Sequence, residues 1–152
     1  MRRVFELLLV LLLAGCGGGG GKTAVSPEPP TPSPREQEMA EAKAGWEAQH
    51  IQSYLIDIQY NEPQKNPQSV VVEVRNGVAT FLDHDCMPQR TCIMSKLDPA
   101  DFTIDTLTAR AQTLLLAGEI THLVYHDTYH YPRVIESGQG TWLISNFRLL
   151  DE

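Results

Sequence analysis

The sequence predicts an α+β domain in which an antiparallel sheet carries two helices on one face, in the order α-β-β-β-α-β-β-β. Twice along the chain, a stretch with apolar residues at helical spacing is followed by three short runs with the apolar pattern of strands. The links between consecutive runs are short, which favours antiparallel neighbours over parallel crossovers. Residues 35–152 are therefore predicted to form one domain, which is long enough to bury its own core.

The first predicted helix covers residues 34–50. Ser33 and Glu36 have the spacing of a capping box, and Pro34 suits the first helical position. Trp46 is the predicted core anchor of this helix. The predicted inward face consists of Met39, Ala42, Trp46 and His50.

Three strands are predicted after the first helix. Residues 54–60 and 70–74 alternate with a period of two, so each strand should have one buried face. Asn76-Gly77 is a strong signal for a tight hairpin, and residues 78–82 return as the third strand. We expect residues 83–102 to form an irregular loop.

The second predicted helix covers residues 104–117, with Thr103 or Asp101 as its N-cap and Gly118 after its end. Its predicted core-facing residues are Leu107, Ala111, Leu114 and Leu115. Three strands over residues 122–127, 132–137 and 140–150 complete the predicted fold, with a turn at residues 137–140. The order of elements repeats, but no residue-level repeat indicates a duplication.

The N-terminal residues predict export and a lipid anchor. Arg2 and Arg3 precede a run over residues 4–13 that is apolar except for Glu6 and is shorter than the roughly 20 residues of a membrane-spanning helix. The sequence Leu-Ala-Gly-Cys at residues 13–16 follows directly and resembles the lipobox of bacterial lipoproteins. This resemblance implies that residues 1–15 are a signal peptide and that Cys16 carries two or three lipid chains.

Residues 16–34 are predicted to be a tether, because Gly-rich chain is flexible and Pro-rich chain is extended. Gly17 and Gly18 follow Cys16, and the absence of Asp there favours the outer membrane in a Gram-negative cell. We therefore expect a lipid-anchored protein of the cell envelope, facing the periplasm in that case.

The charge balance argues against nucleic acid as a partner. The chain has 12 Lys and Arg against 19 Asp and Glu, which gives a net charge of −7. Removing residues 1–15 removes Arg2, Arg3 and Glu6, which leaves ten against eighteen and a net charge of −8. Such a surface repels phosphate backbones and keeps a tethered domain soluble.

Cys86 and Cys92 remain as a pair, because Cys16 is assigned to the lipid and the chain has 3 cysteines. The cell envelope is an oxidising compartment, so a disulfide is expected between them. The closed loop is small, and its contribution to stability is expected to be roughly 2–2.5 kcal/mol. Redox chemistry and a metal site are not favoured, since the spacing is not Cys-x-x-Cys and a second ligand pair is lacking.

Several stretches resemble an uncharacterised bacterial family, the domain of unknown function 6174. They are Trp46 on the first helix, residues 54–60, residues 70–77, Thr103-Ile104-Asp105 and residues 125–132. The resemblance covers about residues 45–150 and implies a secreted or lipid-anchored protein without an assigned activity. His126 stands where this family tends to have Asp, and His130 where it tends to have Gly. A Gly indicates a positive φ, which His tolerates less well, so we expect the turn to differ.

The segment from Tyr125 to Pro132 is the predicted functional surface. Its aromatic members, Tyr125, Tyr129 and Tyr131, together with Pro132, form a candidate recognition surface, because Tyr is favoured at interfaces. The structural alternative is that these tyrosines pack on the sheet and fix the turn.

His126, Asp127 and His130 are the candidate metal ligands, because a turn could bring them together on a Zn²⁺ or similar ion. The structural alternative is a set of surface side chains. No other cofactor is expected.

Enzymatic activity is not favoured by the sequence. No Ser lies in a nucleophile-elbow context, and the Gly run lies in the tether instead of after a strand. The leading hypothesis is therefore a non-enzymatic, membrane-tethered module that binds an envelope protein or glycan. The alternative hypothesis is a metal-binding lipoprotein that uses the His/Asp turn.

Overall fold

The computed structural model describes residues 31–88 and 96–151, which form a six-stranded antiparallel sheet with two helices packed on one face. The elements are α1 (Pro34–Glu47), β1 (Tyr54–Asn61), β2 (Gln68–Arg75), β3 (Val78–Cys86), α2 (Ile104–Leu116), β4 (Ile120–Tyr125), β5 (Pro132–Ser137) and β6 (Gly140–Leu149). This confirms the predicted fold class and order. The predicted signal peptide, Cys16 and residues 16–30 of the tether lie outside the described residues.

The sheet has the strand order β3-β2-β1-β6-β5-β4, and each pair of neighbours is antiparallel. The first half of the chain joins the centre of the sheet through its first strand, β1. The second half joins through its last strand, β6. Each half of the sheet is thus a three-stranded antiparallel meander, and the order of the strands across the sheet is the same in both halves.

One face of the sheet and the inner faces of both helices form the core. Every second residue of β1 and β2 is buried, as the alternation predicts, and Leu55 on the other face of β1 is buried as well. Largest among the fully buried side chains are Ile56, Ile58, Ile104, Leu107 and Ile135. Asn76 and Gly77 have φ values of 51° and 77°, as the predicted hairpin turn between β2 and β3 requires.

Helix α1 begins as predicted and ends earlier. The Ser33 hydroxyl accepts from the Glu36 backbone N–H at 3.3 Å, and the Glu36 carboxylate accepts from the Ser33 N–H at 2.6 Å. The helix ends at Glu47, so the prediction that His50 lies on its inward face is wrong. His50 is exposed with a φ of 52°, because the chain there leaves the helix and turns towards β1.

Helix α2 is capped by Thr103, whose hydroxyl accepts from the Thr106 N–H at 3.2 Å. Gly118 follows the helix with a φ of 72°, which is the left-handed conformation that Gly adopts readily at a helix end. Over residues 31–88 and 96–151, no helix combines the length and the apolar character needed to cross a membrane.

Strand β3 is longer than predicted. The sequence predicts an irregular loop from residue 83 onward, but His84 pairs with Val70 and Cys86 with Gln68. A bulge next to Val72 interrupts the alternation, and polar side chains hide the remaining strand from a hydrophobicity pattern. Cys86 is buried, while Cys92 lies outside the described residues, so the disulfide stays a prediction.

Candidate functional site

The turn between β4 and β5 is held by the side chain of His126. Two backbone hydrogen bonds close the turn, from His126 to the Tyr131 carbonyl and from His130 to the His126 carbonyl, each 2.8 Å. The His126 imidazole accepts at Nδ1 from the backbone N–H groups of Thr128 (3.1 Å) and Tyr129 (3.2 Å). His126 therefore caps the turn.

His126 and His130 occupy positions in this turn that other residue types fill more readily. An Asp side chain caps such turns with a carboxylate oxygen, and the Nδ1 atom of His126 supplies an acceptor in its place. His130 has a φ of 59°, which is the left-handed conformation that Gly would adopt more easily. The chain thus builds the turn with two residues that do not usually favour it.

The aromatic side chains of the turn pack inward. Tyr131 is 2% exposed, and Pro132 is fully buried. The Tyr129 ring lies 4.6 Å from the Phe147 ring between centroids, and the Tyr125 hydroxyl donates to Met39 Sδ at 3.4 Å. The prediction that Tyr131 and Pro132 belong to an exposed recognition surface is wrong, because these side chains face the core. Tyr125 and Tyr129 are partly exposed and also pack against it.

The inward-facing rings join an aromatic cluster that connects the turn to both helices. Its members are Trp46, Tyr54, His126, Tyr129, Tyr131 and Phe147. Trp46 donates from Nε1 to Asp105 Oδ1 at 2.7 Å, and the Tyr54 hydroxyl accepts from the Ile104 N–H at 2.9 Å. Both bonds fix the first turn of α2 against the cluster, so the turn is structurally coupled to the centre of the fold.

Burial changes the acidity of these phenols. Burial raises the pKa of Tyr54 to about 12. It also raises the pKa of Tyr125 to about 12, with a smaller contribution from the nearby Glu38 carboxylate. The pKa of Tyr131 is raised as well, mainly by burial. All three hydroxyls are therefore neutral near pH 7.

The geometry does not supply the metal site predicted from His126, Asp127 and His130. In the described parts of the chain, no group of three or more His, Cys, Asp or Glu side chains is arranged to hold a metal ion. His126 uses Nδ1 for backbone hydrogen bonds, and the His130 ring lies against Gly45 of α1. Both imidazoles thus contact other parts of the chain, and the Zn²⁺ hypothesis gains no ligand group within the described residues.

The contact between Gly45 and His130 explains a glycine in the middle of a helix. A Cβ atom built on Gly45 would lie 2.7 Å from Cδ2 and 2.8 Å from Cγ of His130. Such distances are shorter than carbon atoms tolerate, so the ring would have to move. Gly in a helix interior costs about 0.5–1 kcal/mol relative to Ala, and the close approach of His130 offsets that cost.

We expect Gly45→Ala to have opposite effects in two backgrounds. In the natural sequence it should lower the free energy of unfolding by about 1–2 kcal/mol, because His130 is displaced. Combined with His130→Gly, the same change should raise the free energy of unfolding by about 0.5–1 kcal/mol, since only the helix preference remains. Urea denaturation of the four proteins in this cycle measures both values. The same sign in both backgrounds would contradict the packing of His130 on Gly45.

A surface pocket lies where the turn meets α1. It has a volume of about 300 Å³ and is bordered by Glu38 and Glu41 of α1 together with Tyr125, His126, Asp127 and His130 of the turn. The structure therefore brings four of the predicted site residues to one pocket. The sequence did not indicate the two glutamates, because exposed carboxylates on a helix look like ordinary solubilising residues.

A second opening lies on the other side of α1, between the two helices. This inter-helix groove has a volume of about 360 Å³. Its apolar lining consists of Met39, Ala40 and Ala44 of α1 and Leu115 and Leu116 of α2. Sequence patterns predicted Met39 and Leu115 as core residues but gave no signal for a groove, because the spacing of two helices on a sheet is a tertiary property.

Comparisons with family models, with curated proteins and with solved structures find no match to this chain. The family resemblance of the sequence therefore stays a prediction.

Proposed function

We propose that the chain is a membrane-tethered binding or assembly module of the cell envelope that carries out no enzymatic reaction. Lipid on Cys16 anchors the chain, and the residues between Cys16 and the N-cap of α1 separate the domain from the membrane surface. The domain then binds an envelope protein or glycan. The lipobox-like residues 13–16 support the anchor, and the exposed surface of α1 supports the binding role.

The observation that carries the binding role is the position of α1 between two openings. Of its 14 residues, only Met39, Ala42 and Trp46 are buried. The pocket at the turn borders one side of the helix, and the inter-helix groove borders the other. A partner lying along α1 would contact an exposed helix and both openings at once. Side chains of a partner can enter such openings and become desolvated, which is where binding energy concentrates.

This proposal moves the binding surface away from the tyrosines of the turn. Tyr131 and Pro132 are buried, so a partner cannot reach them without unfolding the turn. Tyr125 and Asp127 keep a role, since both line the pocket beside α1. The turn therefore contributes one wall of the surface, and α1 contributes its centre.

If lipid on Cys16 anchors the protein, Cys16→Ser should change how the protein partitions between detergent and water. The thiol of Cys16 is the group that would accept lipid, and Ser offers no thiol. We expect the natural protein to enter the detergent phase in Triton X-114 separation and the Cys16→Ser protein to leave it or remain unprocessed. Gly18→Ser is the matched control and should partition as the natural protein does. Equal partitioning of Cys16→Ser and the natural protein would remove the anchor.

The binding role is tested by site-specific photo-crosslinking in intact cells. A photoreactive residue at Glu41, on the exposed side of α1, should give discrete crosslinked products. The same residue at Val78, which is 67% exposed on the edge strand β3, serves as the control and should give few. Products of equal yield from both positions, or none from Glu41, would argue against α1 as the binding surface.

A further inference from the structure

We infer that the inter-helix groove binds an amphipathic helix with a basic polar face, supplied by a protein partner. The inference rests on the proposed binding role and names the chemistry of the partner. It depends on the shape of the groove, on its apolar lining and on the charge of the helix beside it.

The two helices run antiparallel and leave a trough between them. Trp46, near the end of α1, bonds to Asp105 at the start of α2. At the opposite end, Leu115 of α2 lines a small pocket together with Arg35 and Glu38 of α1. Helix α1 has 14 residues and is therefore roughly 20 Å long. A trough that runs for about 20 Å between two side-by-side helices can accept about four turns of a third helix.

The lining of the trough suits apolar side chains. Ala40 and Ala44 are one helical turn apart and lie on the same side of α1. Their small side chains leave room in the trough for side chains of a bound helix. Leu116 stands on the opposite wall and is 66% exposed, which is a large exposed fraction for a leucine at the edge of a groove. A leucine or valine of a bound helix would cover Leu116 and remove both surfaces from water.

The charge beside the trough selects a basic partner. Of the four carboxylates of α1, Glu36 and Glu47 line the trough together with the cation Lys43. The other two, Glu38 and Glu41, border the pocket on the opposite side of the helix. Lys43 lies 3.9 Å from Glu47, so part of its charge is already balanced within the helix. A partner with lysine or arginine beside its apolar stripe would meet this excess of carboxylates, which favours association and fixes orientation. A second copy of this chain would instead bring two acidic helices together.

The probe for this inference is a synthetic amphipathic helix of leucine and lysine. Binding is measured on the mature, lipidated protein in phosphatidylcholine nanodiscs, with empty nanodiscs as the blank. We expect saturable binding that weakens as NaCl rises from about 0.05 M to about 0.5 M. Leu116→Asp should weaken binding by about tenfold or more, because it places a charge in the apolar trough. Val78→Asp is the matched control and should change binding by less than about twofold.

Three results would overturn the inference. If Leu116→Asp and Val78→Asp weaken peptide binding equally, the peptide is attracted to the protein without entering the groove. Equal binding of a scrambled Leu/Lys peptide, or of a Leu/Glu helix, would remove the amphipathic or the basic requirement. Dimers that depend on Leu116 in sedimentation would assign the groove to a second copy of the chain.

The two proposals can fail separately. Crosslinks at Glu41 combined with no effect of Leu116→Asp would leave the binding role intact and remove the groove. Peptide binding that depends on Leu116, without crosslinks at Glu41 in cells, would remove the proposed envelope role. Circular dichroism of each variant at the outset confirms that a loss of binding does not reflect unfolding.

Discussion

Replacing Tyr131 by Ala should lower the free energy of unfolding by about 3–5 kcal/mol, the range for removing a large buried aromatic side chain. Tyr131 is 2% exposed, and its ring lies 5.0 Å from that of His126, 5.1 Å from Phe147 and 6.3 Å from Trp46 between centroids. The change would leave a cavity that several rings border and would remove the stacking partner of the residue that caps the turn. Equilibrium denaturation in urea at neutral pH measures the loss.

Thr128→Ala is the control for this prediction, because Thr128 lies on the same turn and is exposed. Its effect should stay within about 0.5 kcal/mol. A loss below about 1 kcal/mol for Tyr131→Ala would mean that the aromatic cluster contributes little to the fold. The tyrosines of the turn would then again be candidates for recognition.

Alkaline pH should destabilise the domain between pH 10 and 12. Burial raises the pKa of Tyr54 from 10.0 to about 12, so the unfolded chain loses the phenolic proton at lower pH than the folded chain does. Stability from this residue is fully present below pH 10 and is lost as the pH rises towards 12. The loss is about 3 kcal/mol at about 1.4 kcal/mol per pH unit. Tyr125, whose pKa is also raised to about 12, acts in the same direction but is partly exposed.

Tyr54→Phe separates this effect from general alkaline unfolding. The variant should lose about 1–3 kcal/mol at neutral pH, because the buried N–H of Ile104 no longer has an acceptor. Its stability should then fall less steeply between pH 10 and 12 than that of the natural protein. Urea denaturation midpoints across this pH range give both quantities. Parallel curves for the two proteins would show that Tyr54 titrates alike in the folded and unfolded states.

Local signals in the sequence predicted the elements well. The capping box of Ser33 and Glu36, the cap at Thr103 and the hairpin at Asn76-Gly77 are all present, because each depends on residues within one turn of chain. Local patterns did not predict the end of β3. Its pairing with β2 uses backbone groups, and the polar side chains at residues 83–85 carry no strand pattern.

The candidate site was predicted less well, because its properties depend on contacts between distant parts of the chain. The segment 125–132 does border a pocket, yet its other wall comes from Glu38 and Glu41 of α1. The composition of a Tyr-rich segment does not indicate whether its rings face the solvent or the core. Here Phe147 on β6 and Trp46 on α1 decide that the rings face inward.

The pairing of β1 with β6 places the two ends of the domain side by side in the middle of the sheet, with Tyr54 opposite Leu149. Closing this pair requires almost the whole intervening chain to form one large loop, and such contacts of high sequence separation slow folding. Until the ten residues of β6 are available, β1 has one open edge and the aromatic cluster lacks Phe147. A chain truncated within β6 would therefore present two separate half-sheets with unpaired edges. Such edges make a chain prone to aggregation and proteolysis.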